Sequence, residues 1–241
     1  DQFYGIEIDE FPSQIARVAM WLVDHQMNLL VSARFGTHFA RIPLKQSAHI
    51  QHANALQVDW PTTDFILGNP PFIGKSNQNA AQKSDLAAVC YDIKNAGNLD
   101  FVCGWYIKAA RLMNQNPATR SAFVSTNSIC QGEQVPILWS WMLAQGMHIQ
   151  FAHRTFVWQS AATGKAAVHC VIVGFGTDQN RAKTIFEYET VKDEHDKKVE
   201  VITPIPAQNI NPYLVDDAGV SILQNRRKPI CSVSEMVYGS K

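Results

Sequence analysis

The chain has 241 residues, of which 46% are hydrophobic and 17% charged, and its 21 basic residues equal its 21 acidic ones in number. This length is sufficient for a sizeable buried core. The sequence contains no apolar run long enough to cross a membrane and no signal peptide, so we expect no membrane partner. A net charge of zero lacks the basic excess of many nucleic-acid-binding proteins, although a local basic patch can supply phosphate contacts.

The five cysteines form neither a Cys-x-x-Cys pair nor a cluster with metal-ligand spacing. We therefore expect reduced, mostly buried thiols in a bacterial cytoplasmic protein, and no metal site. The cysteines are Cys90, Cys103, Cys130, Cys170 and Cys231.

The chain begins with a predicted short buried strand over residues 3–9, which ends in acidic residues. A helix is predicted to start near Pro12, with Asp9 and Glu10 near its positive end, and to fade near Leu30. Five apolar residues at helical spacing predict a buried stripe on this helix: Ile15, Val18, Ala19, Leu22 and Val23.

Two further strands are predicted around the centre of the first half. One covers residues 55–58 and ends at Asp59-Trp60, and the next, buried, covers residues 64–67. The second stops at Gly68-Asn69-Pro70-Pro71-Phe72, where two prolines prevent strand pairing from continuing. The polar residues 74–84 are predicted to form a mobile loop.

The remaining elements alternate between strand and helix patterns up to about residue 178. They are helices over 99–114 and 136–145, and strands over 121–125, 149–152 and 167–175. This alternation predicts an α/β fold with a mostly parallel sheet. Beyond residue 178 the charge and proline content rise, so we predict a core over residues 1–178 and a peripheral extension or linker over residues 179–241.

The tetrapeptide Asn69-Pro70-Pro71-Phe72 follows a buried strand, at the end of a sheet where ligands of α/β proteins bind. An exocyclic amine is a poor nucleophile because its lone pair is delocalised into the base. Two acceptors on its N–H groups favour the geometry that exposes the lone pair, and the Asn69 side chain and the Pro70 carbonyl could be those acceptors. The prolines stiffen the segment, and Phe72 could stack on a base removed from the duplex.

Two acidic residues each follow a predicted strand upstream of this tetrapeptide. An acid at the end of the second strand of a nucleoside-binding sheet commonly accepts ribose hydroxyls, a role that Glu7 could fill while Ile8 packs on an adenine ring. Asp59 could accept the adenine amino group, with Trp60 beside the ring. Each acid alone is more often a helix cap or a solvated strand end, but the order and spacing of the three features favour a cofactor site.

These segments resemble the successive cofactor and catalytic motifs of amino-methylating DNA methyltransferases. The run over residues 3–28 (FYGIEIDEFPSQIARVAMWLVDHQMN) is similar to the MmeI-like group, in which restriction and modification reside in one polypeptide. Residues 151–158 and 164–170 resemble that group as well, and the resemblance extends over residues 3–176. It continues weakly to residues 236–239, which resemble the approach to a target-recognition domain.

The resemblance implies a Rossmann-like, class I S-adenosylmethionine-dependent methyltransferase fold with helices on both faces of the sheet. It implies S-adenosylmethionine as cofactor, double-stranded DNA as partner and the N6 amino group of a flipped adenine as the methyl acceptor. The implied cofactor residues are Glu7, Ile8, Asp59 and Trp60, and the implied methyl-transfer residues are Asn69, Pro70, Pro71 and Phe72. Phe156 would stack on the flipped base, with Trp158 as the second choice. Residues 98–101 would lie near the methionine end of the cofactor.

The family also has a first strand and a glycine-bearing cofactor loop ahead of the position of Glu7, which this sequence lacks. We therefore expect a fragment of a longer polypeptide that carries this loop, a target-recognition domain and, where the parent cleaves DNA, a nuclease domain. The isolated fragment is expected to bind the cofactor weakly or not at all and to be inactive.

Two alternatives remain open. Methyltransferases that act on a glutamine side chain of a protein also use an Asn-Pro-Pro-aromatic site, because an amide presents the same lone-pair problem. The polar segment after Phe72, the aromatic segment around Phe156 and the C-terminal extension favour DNA. The third possibility is a non-catalytic module that binds DNA or a partner.

Overall fold

The computed structural model describes residues 2–36, 48–158, 168–192, 196 and 198–217. The chain divides into two compact units, residues 1–63 and residues 64–241. The residues of the predicted C-terminal resemblance, 236–239, lie outside the described part of the chain.

The first unit contains a parallel strand pair and one long helix. Its elements are β1 (Tyr4–Glu7), α1 (Glu10–Phe35) and β2 (His49–His52). Tyr4 pairs with His49 and Glu7 with His52, so both strands end at the same edge. The helix ends at Gly36, whose φ of +67° is left-handed and whose N–H donates to the Ser32 carbonyl.

Two predictions about burial in this unit are wrong. The apolar stripe of α1 is not buried, since Ile15, Val18, Leu22 and Val23 are each at least half exposed. The β1 strand is exposed or half-buried rather than buried. Among the described residues of this unit only Ser13 and Leu56 are buried, because one strand pair is too small a surface to cover a helix of 26 residues.

The predicted strand over residues 55–58 is a turn. The N–H groups of Gln57 and Val58 both donate to the Asn54 carbonyl, and the Asn54 side chain accepts from the Leu56 N–H. An asparagine that satisfies nearby backbone donors in this way favours a turn over a strand. Asp59 therefore follows a turn, and the strand that precedes it is β2.

The second unit contains a six-stranded sheet and three α-helices among its described residues. Its elements are β3 (Phe65–Gly68), α2 (Ala80–Val89), α3 (Cys103–Gln115), β4 (Arg120–Thr126), α4 (Gln134–Ala144), β5 (His148–Trp158), β6 (Val168–Gly176), β7 (Lys183–Lys192) and β8 (Lys198–Ala207). Short 3-10 helices cover Lys75–Asn77, Ala96–Asn98 and Asn127–Cys130.

The strand order is β3-β4-β6-β5-β7-β8. The α/β class is confirmed, but the sheet is mixed rather than mostly parallel. The β3–β4 and β5–β7 pairs are parallel, while β4–β6, β5–β6 and β7–β8 are antiparallel. The short connections from β5 to β6 and from β7 to β8 account for two of these antiparallel pairs, because a parallel pair needs a longer crossover.

The predicted boundary near residue 178 stays a prediction. The sheet itself runs across it, since β7 pairs with β5 and then with β8. Pro204 and Pro206 lie in β8, which pairs with β7 alone among the described strands, and proline within sheets occurs mainly on such edge strands because it has no N–H for a second neighbour.

Aromatic side chains from both sheet and helices form the centre of this unit. The Tyr106 ring of α3 stacks on Phe175 of β6 and meets Phe123 of β4 edge-on, with ring centroids 5.2 Å apart in both pairs. Trp139 of α4 closes the cluster against Tyr106. These four side chains are at most 1% exposed, so the core lies where α3 and α4 pack on the sheet.

Two predictions about the region around the tetrapeptide are wrong. The segment predicted as a mobile loop contains the beginning of α2, which starts with a reciprocal cap: the Asn79 side chain accepts from the Gln82 N–H, and the Gln82 side chain accepts from the Asn79 N–H. The strand β3 is not buried, because Phe65 and Leu67 are 59% and 78% exposed. It is the first strand of the sheet and pairs with β4 alone among the described strands.

The four described cysteines are unpaired and buried. Burial raises the pKa of Cys90 to about 12 and raises those of Cys103, Cys130 and Cys170 as well. These thiols are therefore poor nucleophiles at neutral pH. No described helix is both long enough and apolar enough to cross a membrane.

Candidate functional site

The segment Asn69-Pro70-Pro71-Phe72, called the turn below, follows directly after β3, as predicted. Asn69 is exposed, Pro70 is buried and Phe72 is half-buried. The Asn69 side chain makes no hydrogen bond to another described residue, so its amide oxygen is available to a ligand. The Pro70 ring is the fixed part of the turn, because burial and a locked φ hold it in place.

The entry to the turn is fitted closely to the core. Gly68 pairs with Phe123 across the parallel β3–β4 pair. A methyl group on Gly68 would lie 3.3 Å from the Phe123 ring and 3.8 Å from Cδ of Pro70. A glycine here thus allows the backbone to approach a buried aromatic ring just before the turn.

The exit from the turn carries a contact that sequence reasoning did not identify. The N–H of Ile73 donates to Oδ1 of Asp100 at 3.1 Å, and the Ile73 carbonyl accepts from the Phe101 N–H at 3.0 Å. Asp100 had been expected only as part of a segment near the methionine end of the cofactor. An aspartate just before a helix commonly caps that helix. The sequence around Asp100 therefore does not indicate its contact with Ile73, 27 residues away.

The predicted ribose and adenine residues lie at the end of β1. One Glu7 carboxylate oxygen accepts from the Asp9 N–H at 3.1 Å, and the residue is half-buried. The Ile8 side chain is 60% exposed, and its carbonyl contacts Nε2 of His52 at 2.9 Å. Glu7 therefore keeps a second carboxylate oxygen for a ligand, while Ile8 presents an apolar surface.

A cavity of about 500 Å³ lies against β1 and β2 in the first unit. Asp59 and Trp60 both line it, whereas Glu7 and Ile8 do not. The Trp60 indole N–H donates to the Ala55 carbonyl at 2.8 Å, which fixes the orientation of the ring. The rest of the lining comes from the strand pair and one proline: Tyr4, Gly5, Ile6, His49, Ile50, Gln51 and Pro61.

The predicted base-stacking residues lie at the end of β5. Phe156 is half-buried and stacks on Tyr188 of β7, with ring centroids 5.0 Å apart. Trp158 is the last residue of β5 and pairs with Val168, but its side chain lies outside the described part of the structure.

His153 belongs to the same aromatic group. Its ring stacks on Phe186 at 4.2 Å, and Nδ1 lies 2.7 Å from the Tyr188 hydroxyl. Burial lowers the pKa of His153, so the neutral ring is favoured. Tyr188 was not predicted as a site residue, and its place beside Phe156, 32 residues away in sequence, depends on the pairing of β5 with β7.

The cationic side chains that could contact phosphates have different surroundings. Arg154 forms an ion pair with Glu187 and donates to the Leu214 carbonyl, so its charge is already balanced. Lys165 and residues 226–228 lie outside the described residues. Within the described ranges no three His, Cys, Asp or Glu side chains are grouped so as to hold a metal ion.

Comparison with known proteins gives concordant results. A family model described as the DNA-methyltransferase domain of MmeI matches residues 1–187. DNA methyltransferase A of Bacillus subtilis (strain 168) is 36% identical over 251 residues, which cover 99% of this chain and 27% of that protein. The solved structure of the Type IIL restriction-modification enzyme MmeI in complex with DNA is 53% identical, with a TM-score of 0.86. It covers 97% of this chain, and this chain covers 31% of it, so the chain spans less than a third of either relative.

Proposed function

Because the chain belongs to the family of MmeI DNA-methyltransferase domains, we propose that it transfers a methyl group from S-adenosylmethionine to the N6 amino group of a flipped adenine in duplex DNA. The observation that carries the proposal is the Asn69-Pro70-Pro71-Phe72 turn, whose exposed amide follows a sheet strand while Pro70 is held in the core. In the longer polypeptide this activity would be the modification half of a restriction–modification enzyme.

The turn suits amine methylation for a chemical reason. The Asn69 amide oxygen and the Pro70 carbonyl would accept the two N–H bonds of the amine and expose its lone pair. Asn69 has no competing hydrogen bond to a described residue, so it meets the amine without first breaking an internal contact. Preorganised acceptors of this kind stabilise the positive charge that develops on the nitrogen.

The residues of the first unit fit the adenosine end of the methyl donor. Asp59 offers a carboxylate acceptor for the adenine amino group, and Trp60 offers a fixed aromatic surface in the same cavity. Glu7 retains an oxygen for the ribose hydroxyls, and Ile8 an exposed apolar side chain. The cofactor would supply a methyl group already activated by its sulfonium charge, so no metal is required.

Base stacking is assigned to Phe156, with Phe72 as the aromatic residue of the catalytic turn and Trp158 as the second choice at β5. The flipped base needs an apolar surface in place of its lost neighbours, and aromatic side chains supply it. The α2 helix removes one argument for DNA, because the segment after Phe72 is not the long loop that had been predicted. DNA is nevertheless favoured over a protein glutamine by the family and by the aromatic group on β5 and β7.

The test uses the complete open reading frame that encodes this chain, expressed in a host that lacks adenine methylation. Host DNA is digested to nucleosides and analysed by mass spectrometry. N6-methyladenine is expected with the wild type and with Asn28→Ala, a half-buried asparagine of α1, and should be absent with Asn69→Ala. Methylated glutamine in a host protein without methylated DNA would instead support the alternative, and N6-methyladenine that persists in Asn69→Ala would refute the assigned role of Asn69.

Cofactor binding is tested separately by calorimetry on the same full-length protein. Asp59→Ala and Trp60→Ala are expected to weaken S-adenosylmethionine binding, whereas Asn69→Ala should leave it nearly unchanged. Unchanged affinity in both cavity variants would show that the cofactor binds elsewhere.

A further inference from the structure

Ile73, the residue that follows the catalytic turn, makes three hydrogen bonds through its backbone. The Ile73 N–H donates to Oδ1 of Asp100 at 3.1 Å. The Ile73 carbonyl accepts from the Phe101 N–H and from Nε2 of Gln78, both at 3.0 Å. Every backbone polar group of this residue is therefore committed to a partner within the second unit.

Those partners are themselves buried and fixed. Asp100 is 4% exposed and Gln78 is 6% exposed. The Gln78 amide also donates to the Leu99 carbonyl at 3.0 Å, so one side chain joins the exit of the turn to the segment just before α3. A buried polar side chain with all its partners in place is costly to move, because any displacement leaves a group unsatisfied.

The Asp100 carboxylate is the centre of this network. Its Oδ1 also accepts from the Val102 N–H at 3.2 Å, and its Oδ2 accepts from Thr126 Oγ1 at 3.5 Å. Its backbone N–H donates to Oε1 of Gln134 at 3.0 Å. It thus connects the turn to the start of α3, to the end of β4 and to α4.

The two ends of the tetrapeptide are therefore fixed by different means. At the entry, Gly68 lies against the Phe123 ring. At the exit, Ile73 is bound by Asp100, Phe101 and Gln78. Between them Pro70 and Pro71 have locked φ angles, so the position of the Asn69 amide depends on the two anchors.

We infer that Asp100 is a positioning residue for methyl transfer: it holds the exit of the Asn69–Phe72 turn so that the Asn69 and Pro70 oxygens meet the target amine in a fixed geometry. This inference rests on the proposed function of the turn. Asp100 does not touch the substrate in this role, and it acts through the Ile73 backbone. Such a residue affects the rate of the chemical step more than the affinity, because misplacement by about 1 Å can cost on the order of 100-fold in rate.

The test compares two substitutions of the same residue in the full-length protein. Asp100→Asn retains an oxygen for the Ile73 and Val102 N–H groups, whereas Asp100→Leu has a similar size but no acceptor. We expect kcat for methylation to fall less than about 5-fold in Asp100→Asn and on the order of 100-fold in Asp100→Leu, with KM for DNA and cofactor within about 3-fold of wild type.

A matched control separates positioning from general loss of stability. Tyr106→Phe removes another buried hydrogen bond of the same unit, between the Tyr106 hydroxyl and Ser125 Oγ at 2.8 Å, and retains the ring. It should lower the midpoint of thermal unfolding while kcat stays near the wild-type value. A loss of kcat in Tyr106→Phe as large as in Asp100→Leu would overturn the inference.

Hydrogen exchange gives a readout that does not depend on activity. Because Pro70 and Pro71 have no N–H and the first residue of a peptide carries an amine in place of an amide, a peptide over residues 69–74 reports only the amides of Phe72, Ile73 and Gly74. Asp100→Leu is expected to speed exchange in this peptide about 10-fold or more, and Asp100→Asn and Tyr106→Phe much less. Protection unchanged in Asp100→Leu would overturn the inference even in a protein that methylates DNA, whereas faster exchange without any methylation would overturn the proposed function alone.

Gln78→Leu replaces Asp100→Leu in these measurements if Asp100→Leu does not fold. Gln78→Leu removes the side-chain donor to the Ile73 carbonyl, which keeps its bond from the Phe101 N–H. We expect faster exchange over residues 69–74 and a smaller fall in kcat, at unchanged KM. Wild-type exchange and kcat in this variant would contradict the two-sided anchoring of the turn.

Discussion

Phe156 and Tyr188 stack with their ring centroids 5.0 Å apart and their planes 24° from parallel. A bulge makes this contact possible. Between the pairs His153–Ile172 and Phe156–Cys170, β5 contains one residue more than β6. Side chains three positions apart on a regular strand face opposite sides, so the extra residue brings Phe156 to the side on which His153 contacts Tyr188.

The first prediction concerns the proposed stacking of Phe156 on the flipped base. Phe156→Ala is expected to weaken binding of the flipped base by about 1–3 kcal/mol, roughly 5- to 150-fold, because aromatic stacking on a base contributes about that much. Phe156→Tyr should be close to wild type. The measurement is the fluorescence of 2-aminopurine placed at the target adenine, which rises when the base leaves the stack.

Tyr188 provides the control for this experiment. Tyr188→Phe preserves the ring against Phe156 and should flip the base normally, whereas Tyr188→Ala removes the stacked neighbour and should show part of the Phe156→Ala defect. Wild-type fluorescence in both alanine variants would assign base stacking to another side chain, with Trp158 the next to be tested.

The second prediction concerns pH. Burial lowers the pKa of His153 in the folded protein below its ordinary value near 6.5, and burial, with the charge of Lys183, lowers that of His148. The unfolded chain then binds more protons than the folded one below about pH 6.5, so the free energy of unfolding should fall as the pH drops through that range. Urea unfolding at pH 7.5 and pH 5.5 measures the difference.

His153→Phe separates the contribution of this residue. The substitution keeps a ring against Phe186 but removes the titrating group, so the loss of stability between pH 7.5 and pH 5.5 should become smaller. His148 remains and should leave a residual slope. Burial raises the pKa of Asp100, so this group increases the free energy of unfolding as the pH falls further, opposite to the histidines. This effect is the same in the wild type and in His153→Phe. An equal pH dependence in the two proteins would show that His153 does not titrate differently on folding.

The sequence predicted the elements with strong local patterns. The helices α3 and α4 and the strands β4 and β6 lie within a few residues of their predicted bounds, because each combines a clear period with a buried face. The turn at Asn69 was also located correctly at the end of a strand, since two adjacent prolines exclude strand pairing.

The predictions are wrong where the structure depends on an interaction that the local sequence pattern does not reveal. Residues 74–84 are polar enough for a loop, but the reciprocal cap of Asn79 and Gln82 starts a helix there. The apolar face of α1 predicts burial, yet the described part of its unit has little surface to cover it. The contacts of Asp100 with Ile73 and of Tyr188 with Phe156 join segments 27 and 32 residues apart, and no local period encodes them.

The third prediction concerns Arg111 of α3, which joins the ends of α2 and α4. Its guanidinium forms an ion pair with Asp92, donates to the Val89 carbonyl and lies over the rings of Tyr91 and Trp141 at 4.4 and 5.0 Å. Burial alone would raise the pKa of Asp92, but hydrogen bonds from Arg111 and Trp141 and the charge of Arg111 lower it. Because a planar group makes these contacts together, Arg111→Lys is expected to cost about 1–2 kcal/mol of unfolding free energy.

The matched control is the exposed pair of Lys192 and Asp196, which lies in the hairpin region between β7 and β8. Lys192→Ala should change the unfolding free energy by less than about 0.5 kcal/mol, since exposed ion pairs contribute little. Urea unfolding of both variants gives the comparison. If Lys192→Ala were as costly as Arg111→Lys, the stacking of the guanidinium would not explain the stability of this region.

The fourth prediction concerns the close approach of Phe151 to the backbone of β6. A methyl group on Gly174 would lie 2.0 Å from the Phe151 ring, so Gly174→Ala must displace that ring. Phe151 in turn lies edge-on to His153, with centroids 6.1 Å apart, so the displacement reaches the aromatic group beside Phe156. We expect Gly174→Ala to lower the free energy of unfolding by about 1–3 kcal/mol or more, as other substitutions that overpack a core do.

Gly97→Ala is the control, because a methyl group there has no neighbour within 4 Å and the glycine does not have a positive φ. It should be neutral or slightly stabilising, through reduced freedom of the unfolded chain. Thermal unfolding compares the two, and near-ultraviolet circular dichroism reports whether the aromatic packing changes. Equal stability of the two variants would mean that Phe151 has a second position open to it.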